Sequence, residues 1–304
     1  MKRKNEIILA GDCKMKRKAA VVCCSDGRKT PEREKLELTV KHLEEMGISV
    51  CLSDHLFSEK PSCETLRPKE RAAELMRFFS DSAITDIFDI SGGDLANGIL
   101  PYLDYNAISE SGACFYGYSD LTTLINAIYA KTGKSSVLYQ VKNIAGDNAD
   151  IQKKRLSEYL CGQSKELTDF RYEFVNGTEM SGVLVGGNIR CFLKLAGTEY
   201  MPDPSGKILL LEAFGSTLPQ VYSCISQLNQ LGCFEKCRGI LLGTFTKLCS
   251  EELYAEVISQ VISETGGKKP VAITREIGHG SDSRAAIIGK TVSLSVDITV
   301  QSII

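Results

Sequence analysis

The chain has 304 residues, 43% of them hydrophobic and 24% charged, with a net charge of −2 at pH 7 and a pI near 6.0. That composition excludes a disordered or fibrous protein, and the balanced charge supplies no global field for nucleic acid or an anionic membrane. A chain this long can bury a sizeable core, and its length favours two domains over one.

At the amino end, Lys2-Arg3-Lys4 and Lys14-Met15-Lys16-Arg17-Lys18 make a locally basic stretch that reads first as a solvated arm, not as a nucleic-acid site. Ile7-Ile8-Leu9-Ala10 is too short for the core of a secretory signal, and no run is long enough to span a bilayer, so a cytoplasmic protein with no membrane partner is expected. Its twelve cysteines, spread over a large chain, are then expected to be reduced. Cys233 and Cys237 stand four apart with no second cysteine or histidine pair nearby, so no metal is expected there.

Ala19 to Cys24 is a continuous apolar run of strand length, closed by Ser25-Asp26-Gly27. Thr30-Pro31 offers a capping hydroxyl and a first-turn proline to a helix whose Leu36, Val40, Leu43 and Met46 share a face, and Gly47 stops it. The alternation continues with a strand at Ile48 to Leu52, a helix at Pro68 to Phe79, strands at Thr85 to Ile90 and Ala113 to Gly117, and a helix at Leu121 to Lys131. Such βαβ units predict an α/β domain with a parallel sheet, helices on both faces, and ligands at the carboxyl ends of the strands. Between Asn143 and Asp169 the composition turns polar around a helix at Ile151 to Leu160, and the rhythm then changes. A second, strand-rich α/β domain is placed from about residue 165, dividing the chain into 1–165 and 166–304. Its expected strands are Phe170 to Val175, Gly182 to Gly187, Ile189 to Leu193, Lys207 to Leu211, Gly239 to Leu242, Val271 to Thr274 and Thr291 to Val300, with helices at Pro219 to Leu231 and Glu251 to Glu264.

Three distant segments carry groups suited to acyl transfer. Ser119, in Gly117-Tyr118-Ser119-Asp120-Leu121, stands at a strand-to-helix corner; Glu212 ends an apolar strand; His279 lies between Gly278 and Gly280. A serine hydroxyl needs a base within hydrogen-bond reach, itself held in one tautomer. Of the three histidines, His42 lies on an amphipathic helix and His55 in a polar loop, which leaves His279 as the accessible imidazole. Each residue has an ordinary alternative: a helix cap for Ser119, an ion pair or cap for Glu212, a turn position for His279. The corner also departs from the Gly-x-Ser-x-Gly elbow at Leu121. Ser91-Gly92-Gly93 lets backbone N–H groups approach a substrate closely, as an oxyanion donor must. The competing phosphate-binding turn over Gly92 to Gly98 lacks the Gly-x-Gly-x-x-Gly spacing and the Walker lysine, and Asp94 would repel a phosphate.

With these three segments stand Ala20-Val21-Val22, Glu70-Arg71-Ala72-Ala73-Glu74-Leu75, Leu100-Pro101-Tyr102-Leu103-Asp104-Tyr105, Thr122, Lys207 to Glu212 and Gly239-Ile240-Leu241-Leu242-Gly243. Together they resemble the serine LD-carboxypeptidases, the muramoyl-tetrapeptide carboxypeptidase family that also includes the microcin C self-immunity peptidases. The resemblance covers nearly the whole chain. It implies a two-domain enzyme, commonly a homodimer, that needs no metal or organic cofactor. Carried onto matching positions, it makes Ser119 the nucleophile, His279 the base and Glu212 its orienter, with the N–H groups of Asp120 and of Gly92 or Gly93 forming the oxyanion hole. The implied substrate is a small peptide, a murein tetrapeptide that loses its terminal D-amino acid. A peptidyl or aminoacyl nucleotide is the second reading, and a catalytically silent ligand-binding protein the third.

The chain departs from the family pattern beside the site. Tetrapeptidase members usually carry Arg-Gly-Gly-Tyr-Gly where Ser91-Gly92-Gly93-Asp94-Leu95 stands here, and a following asparagine, Asn97, is closer to the microcin-type branch. Cys23-Cys24-Ser25-Asp26 replaces the usual Ala-Pro-Ser. With no tryptophan in the chain, a nucleotide would have to stack on Tyr or Phe.

Overall fold

Successive residues of the first strand face opposite ways, so Ala19, Val21 and Cys23 enter one buried cluster while Ala20, Val22 and Cys24 enter another. A strand apolar on both faces must lie inside a sheet covered on both sides. The computed structural model, which describes residues 17–27, 32–58, 66–296 and 298–302, shows that sheet. The basic segments at Lys2 to Lys4 and Lys14 to Lys16, and the Thr30-Pro31 helix start, lie outside the described residues.

In chain order the elements are β1 (Arg17–Val22), α1 (Arg33–Glu45), β2 (Ile48–Leu52), α2 (Pro68–Phe79), β3 (Asp86–Asp89), α3 (Tyr105–Glu110), β4 (Cys114–Gly117), α4 (Thr122–Thr132), β5 (Ser136–Leu138) and α5 (Ala149–Leu160). There follow β6 (Glu173–Asn176), β7 (Glu179–Asn188), α6 (Ile189–Leu193), β8 (Ile208–Ala213), α7 (Leu218–Gln230), α8 (Cys233–Lys236), β9 (Gly239–Phe245), α9 (Glu251–Glu264), β10 (Val271–Ile273), β11 (Ala286–Ile288), β12 (Thr291–Ser295) and β13 (Ile298–Ser302). The first sheet has the order β11-β5-β4-β3-β1-β2, parallel except for β11. The second has the order β13-β12-β7-β8-β9-β10-β6, with β7 to β10 parallel and the flanking strands antiparallel. The protein is therefore a two-sheet α/β fold.

Two expected strands are something else. Ile189 to Leu193 is helix α6: a short apolar run fits a buried helix as well as a strand, and the Asn188 side chain caps it by accepting from the Cys191 N–H at 3.3 Å. Thr291 to Val300 is a hairpin, β12 and β13, paired antiparallel. The expected strand Gly182 to Gly187 lies inside the longer β7.

One hydrophobic cluster runs from β1, β3, β4 and α4 into β7, β8 and β9, and β11 crosses back to close the first sheet. Helix α4 is buried from Thr122 to Ile128 because it is packed between the two sheets. Its Asn126 donates to the Gly186 carbonyl at 2.9 Å and accepts from the Gly186 N–H at 2.8 Å, tying the two halves through backbone. The carboxyl ends of both sets of parallel strands meet along this junction.

Candidate active site

Ser119 is the only non-glycine residue with positive φ among the described residues, at φ 56°. It follows β4 and opens a short 3-10 turn, Ser119 to Leu121, that runs straight into α4. Holding an L-residue left-handed costs about 1–2 kcal/mol, and such strain gathers at functional corners. The turn is tight: a Cβ at Gly117 would stand 2.7 Å from the Leu121 Cβ, so the glycine before the serine is required while Leu121 replaces the glycine after it. The corner keeps one of the two glycines of the Gly-x-Ser-x-Gly pattern.

Glu212 lies at the carboxyl end of β8, fully buried, where the β8–β9 register shifts between Leu211 and Ala213. A bulge of this kind re-aims a side chain. His279 reaches the same place from the loop after β10, and its Nδ1 donates to Glu212 Oε2 at 2.7 Å. The loop is braced against β9 by the Thr244 N–H, which donates to the Ile277 carbonyl at 2.8 Å. At Gly278, φ 153°, any side chain would overlap Thr244, which explains the small residue before the imidazole.

The imidazole is held between two rings. Tyr118, the residue before Ser119, meets it edge-on at 4.5 Å between centroids, and Phe214 stacks on it at 4.7 Å. The structure thus joins Glu212 and His279 directly and brings Ser119 to them through its neighbour; no Ser119–His279 hydrogen bond is formed. His279 Nε2, Glu212 Oε1, Thr244 Oγ1 and Tyr118 OH are all buried without a hydrogen-bond partner. Unpaired buried polar atoms are costly, and four of the seven among the described residues sit in this one cluster. Burial, with Glu212 adding to it, pushes the Tyr118 phenol well above its ordinary value, so it stays neutral beside the carboxylate.

The glycine pair follows β3. Gly92 accepts from the Asp26 N–H at 3.3 Å, and Asp26 Oδ1 accepts from the Asp94 N–H at 3.0 Å. A second carboxylate beside Asp94 further opposes a phosphate at this turn. Asp89, at the end of β3, anchors the segment by accepting from the N–H groups of Cys24 at 2.8 Å and Ser91 at 2.7 Å; burial raises its pKa. Burial likewise drives the Cys24 thiol well above its usual range, so this neighbouring cysteine is not a competing nucleophile.

Two supporting residues, Gln152 and Asn143, carried no sequence signal, and Arg71 entered only as part of the Glu70 to Leu75 segment. Gln152, in α5, donates to the Ser281 and Ser283 carbonyls at 3.0 and 2.9 Å and accepts from the Tyr139 hydroxyl at 3.1 Å, fixing the chain just beyond His279. Asn143 adds donations to the Gly280 carbonyl at 3.3 Å and Ser283 Oγ at 3.2 Å. The buried Arg71 guanidinium donates to the carbonyls of Cys24, Ser25 and Leu95 at 2.7, 3.1 and 3.3 Å, beneath the loops that follow β1 and β3. Among the described residues no cluster of three or more His, Cys, Asp or Glu groups is arranged to hold a metal ion. No helix among them is long and apolar enough to cross a membrane.

Comparison with known proteins fits this geometry. The LD-carboxypeptidase N-terminal domain matches residues 19–139 and the LD-carboxypeptidase C-terminal domain matches residues 181–294. The chain belongs to the LD-carboxypeptidase family. It is accordingly a hydrolase, a carboxypeptidase of the serine type. The probable murein peptide carboxypeptidase of Bacillus subtilis is 27% identical over 278 residues, covering 87% of this LD-carboxypeptidase and 85% of that protein. The microcin C7 self-immunity protein MccF of Escherichia coli is 27% identical over 264 residues, covering 75% and 76% of the two chains. Among solved structures, the MccF-like protein of Bacillus anthracis superposes with a TM-score of 0.83 at 25% identity, over 95% of this chain and 96% of that one.

Proposed function

We propose that Ser119 is the nucleophile, His279 the general base and Glu212 the residue that orients it, in an enzyme that hydrolyses the LD amide of a murein tetrapeptide and releases its terminal D-amino acid. The nucleophile would belong to one domain, residues 1–165, and its base and orienter to the other, 166–304. One observation carries the reading: a buried carboxylate lies 2.7 Å from Nδ1 of an imidazole whose ring packs against the residue preceding a left-handed serine. The hydrogen bond to Glu212 leaves Nε2 as the basic nitrogen, and that atom is unpaired. Serine–histidine contacts commonly tighten only when substrate binds.

In this scheme Nε2 takes the Ser119 proton as Oγ attacks the carbonyl carbon. The N–H groups of Asp120 and of the Gly92-Gly93 pair bind the oxyanion, and Nε2 returns the proton to the leaving amine. Water, activated by the same imidazole, then releases the acyl group. The B. subtilis relative's name supports the murein substrate.

A peptidyl or aminoacyl nucleotide is the second reading. Phe214 favours it: the ring is 57% exposed beside the base and offers an aromatic face on which a nucleobase can stack. Mass spectrometry of products from both substrate classes separates the two. Wild-type protein is expected to release D-alanine from the tetrapeptide, and Ser119→Ala to lose at least about 10⁴-fold in kcat with an unchanged circular dichroism spectrum. Full activity in that variant would sink the assignment. The family resemblance also supports a homodimer, readable by sedimentation. Ten cysteines among the described residues are in no disulfide, which supports a reducing, cytoplasmic setting.

A further inference from the structure

Asp120 follows the proposed nucleophile, and its carboxylate is fully buried. Oδ2 accepts from Ser25 Oγ at 2.6 Å and from the Ala96 N–H at 2.8 Å, while Oδ1 accepts from Lys194 Nζ at 2.6 Å. Ser25 belongs to the loop after β1, Ala96 to the segment after the glycine pair, and Lys194 to the end of α6 in the other half of the chain. Lys194 Nζ also donates to the Asp94 carbonyl at 3.1 Å and to Asp94 Oδ1 at 3.0 Å, and Arg190 from the same helix pairs with that carboxylate.

An ammonium group has three protons to donate, and Lys194 spends all three on these acceptors. No donor is left for a substrate carboxylate, and the two cations, Lys194 and Arg190, are already matched by two carboxylates, Asp94 and Asp120. Lys194 is therefore badly placed to bind an anionic ligand and well placed to brace what it touches. Its two partners are the residue after Ser119 and the residue after Gly93, which are the two segments that would donate to the oxyanion.

We propose that Lys194 is a positioning residue that sets the spacing of the oxyanion hole by clamping the Asp120 corner and the Gly92-Gly93 loop together across the two halves of the molecule. The inference rests on the serine-peptidase reading above. Because oxyanion donors act on the tetrahedral intermediate and not on the ground state, loosening the clamp should lower kcat and leave KM nearly unchanged.

The test uses the full-length protein and three forms: wild type, Lys194→Met and Lys194→Arg. Tetrapeptide turnover is measured together with binding of a peptide aldehyde. In that adduct Ser119 Oγ bonds to the aldehyde carbon, the π pair moves to the carbonyl oxygen, and the serine proton passes to His279 Nε2. Lys194→Met should lower kcat by about 10- to 100-fold, change KM by less than about 3-fold, and weaken the aldehyde by the same factor as kcat/KM. Lys194→Arg, which keeps the charge and two forked donors, should recover activity to within about 5-fold of wild type. An unchanged kcat would overturn the proposal. So would a rise in KM alone, which would make Lys194 a substrate contact. So would a loss that tracks a fallen melting temperature and disappears when assays are run well below it. If wild type itself fails to turn over tetrapeptide, the substrate reading falls and aldehyde binding still reports on the clamp.

Discussion

At the scale of single residues, the site is built from groups that are each locally unfavourable. Ser119 is held left-handed, and Glu212 and His279 each keep a buried polar atom without a partner. Such costs persist only where the surrounding structure enforces them. Glycine tolerates φ 56° where serine does not, so Ser119→Gly is expected to be more stable than Ser119→Ala by roughly 0.5–1 kcal/mol, both being inactive. Urea denaturation of the two variants measures the difference; equal stabilities would show that the corner is not strained. The identity of these residues was legible in the sequence, where the serine corner, the strand-ending carboxylate and the glycine-flanked histidine each stood out. Their ordinary roles were equally legible, since a hydroxyl before a helix or a glutamate after a strand looks the same whether or not an imidazole lies nearby. Lys194, Gln152 and Asn143 gave no signal at all. A lysine on a short apolar run and two amides in a polar stretch reveal nothing until the loops they tie are placed beside them.

At the scale of elements, periodicity and punctuation served well where segments were long. Ile48–Leu52, Pro68–Phe79 and Glu251–Glu264 have the bounds the pattern predicts. Short pieces escaped for a physical reason: the three-residue strands Ser136–Leu138 and Ala286–Ile288 carry too few alternations to register, and their pairing is decided by a partner far away in the chain. The stretch that links the polar segment to the second half is held by charge. Glu166 Oε1 pairs with Arg155 Nε at 3.0 Å, and the hydrogen bond to Arg155 lowers the Glu166 pKa. A carboxylate whose folded pKa lies below its unfolded value adds stability that is complete above about pH 4.3 and is lost as pH falls through the folded value. The melting temperature of Glu166→Gln should therefore fall less steeply than that of wild type between about pH 4.5 and 3. Parallel acid limbs would show that the pair adds nothing; the group is partly exposed, so the effect is expected to be small.

At the scale of the whole molecule, the two sheets are joined by a common core, by β11 returning to the first sheet, and by Asn126 reading both backbone groups of Gly186. Asn126→Leu removes both hydrogen bonds and strands a buried N–H and C=O, so it should cost about 2–4 kcal/mol while the protein still unfolds in a single transition. Calorimetry reads both quantities, and a loss under about 0.5 kcal/mol would mean that the junction depends on apolar packing alone. Composition, the longer strands and helices, and the chemical identity of the serine, glutamate and histidine were set by the sequence alone, because burial patterns and turn chemistry are local properties. What only tertiary structure decided was proximity. Glu212 and His279 meet, beside the Tyr118 that precedes Ser119, because the carboxyl ends of two separate sheets face one junction, and that convergence comes from packing between strands and helices that no local pattern encodes.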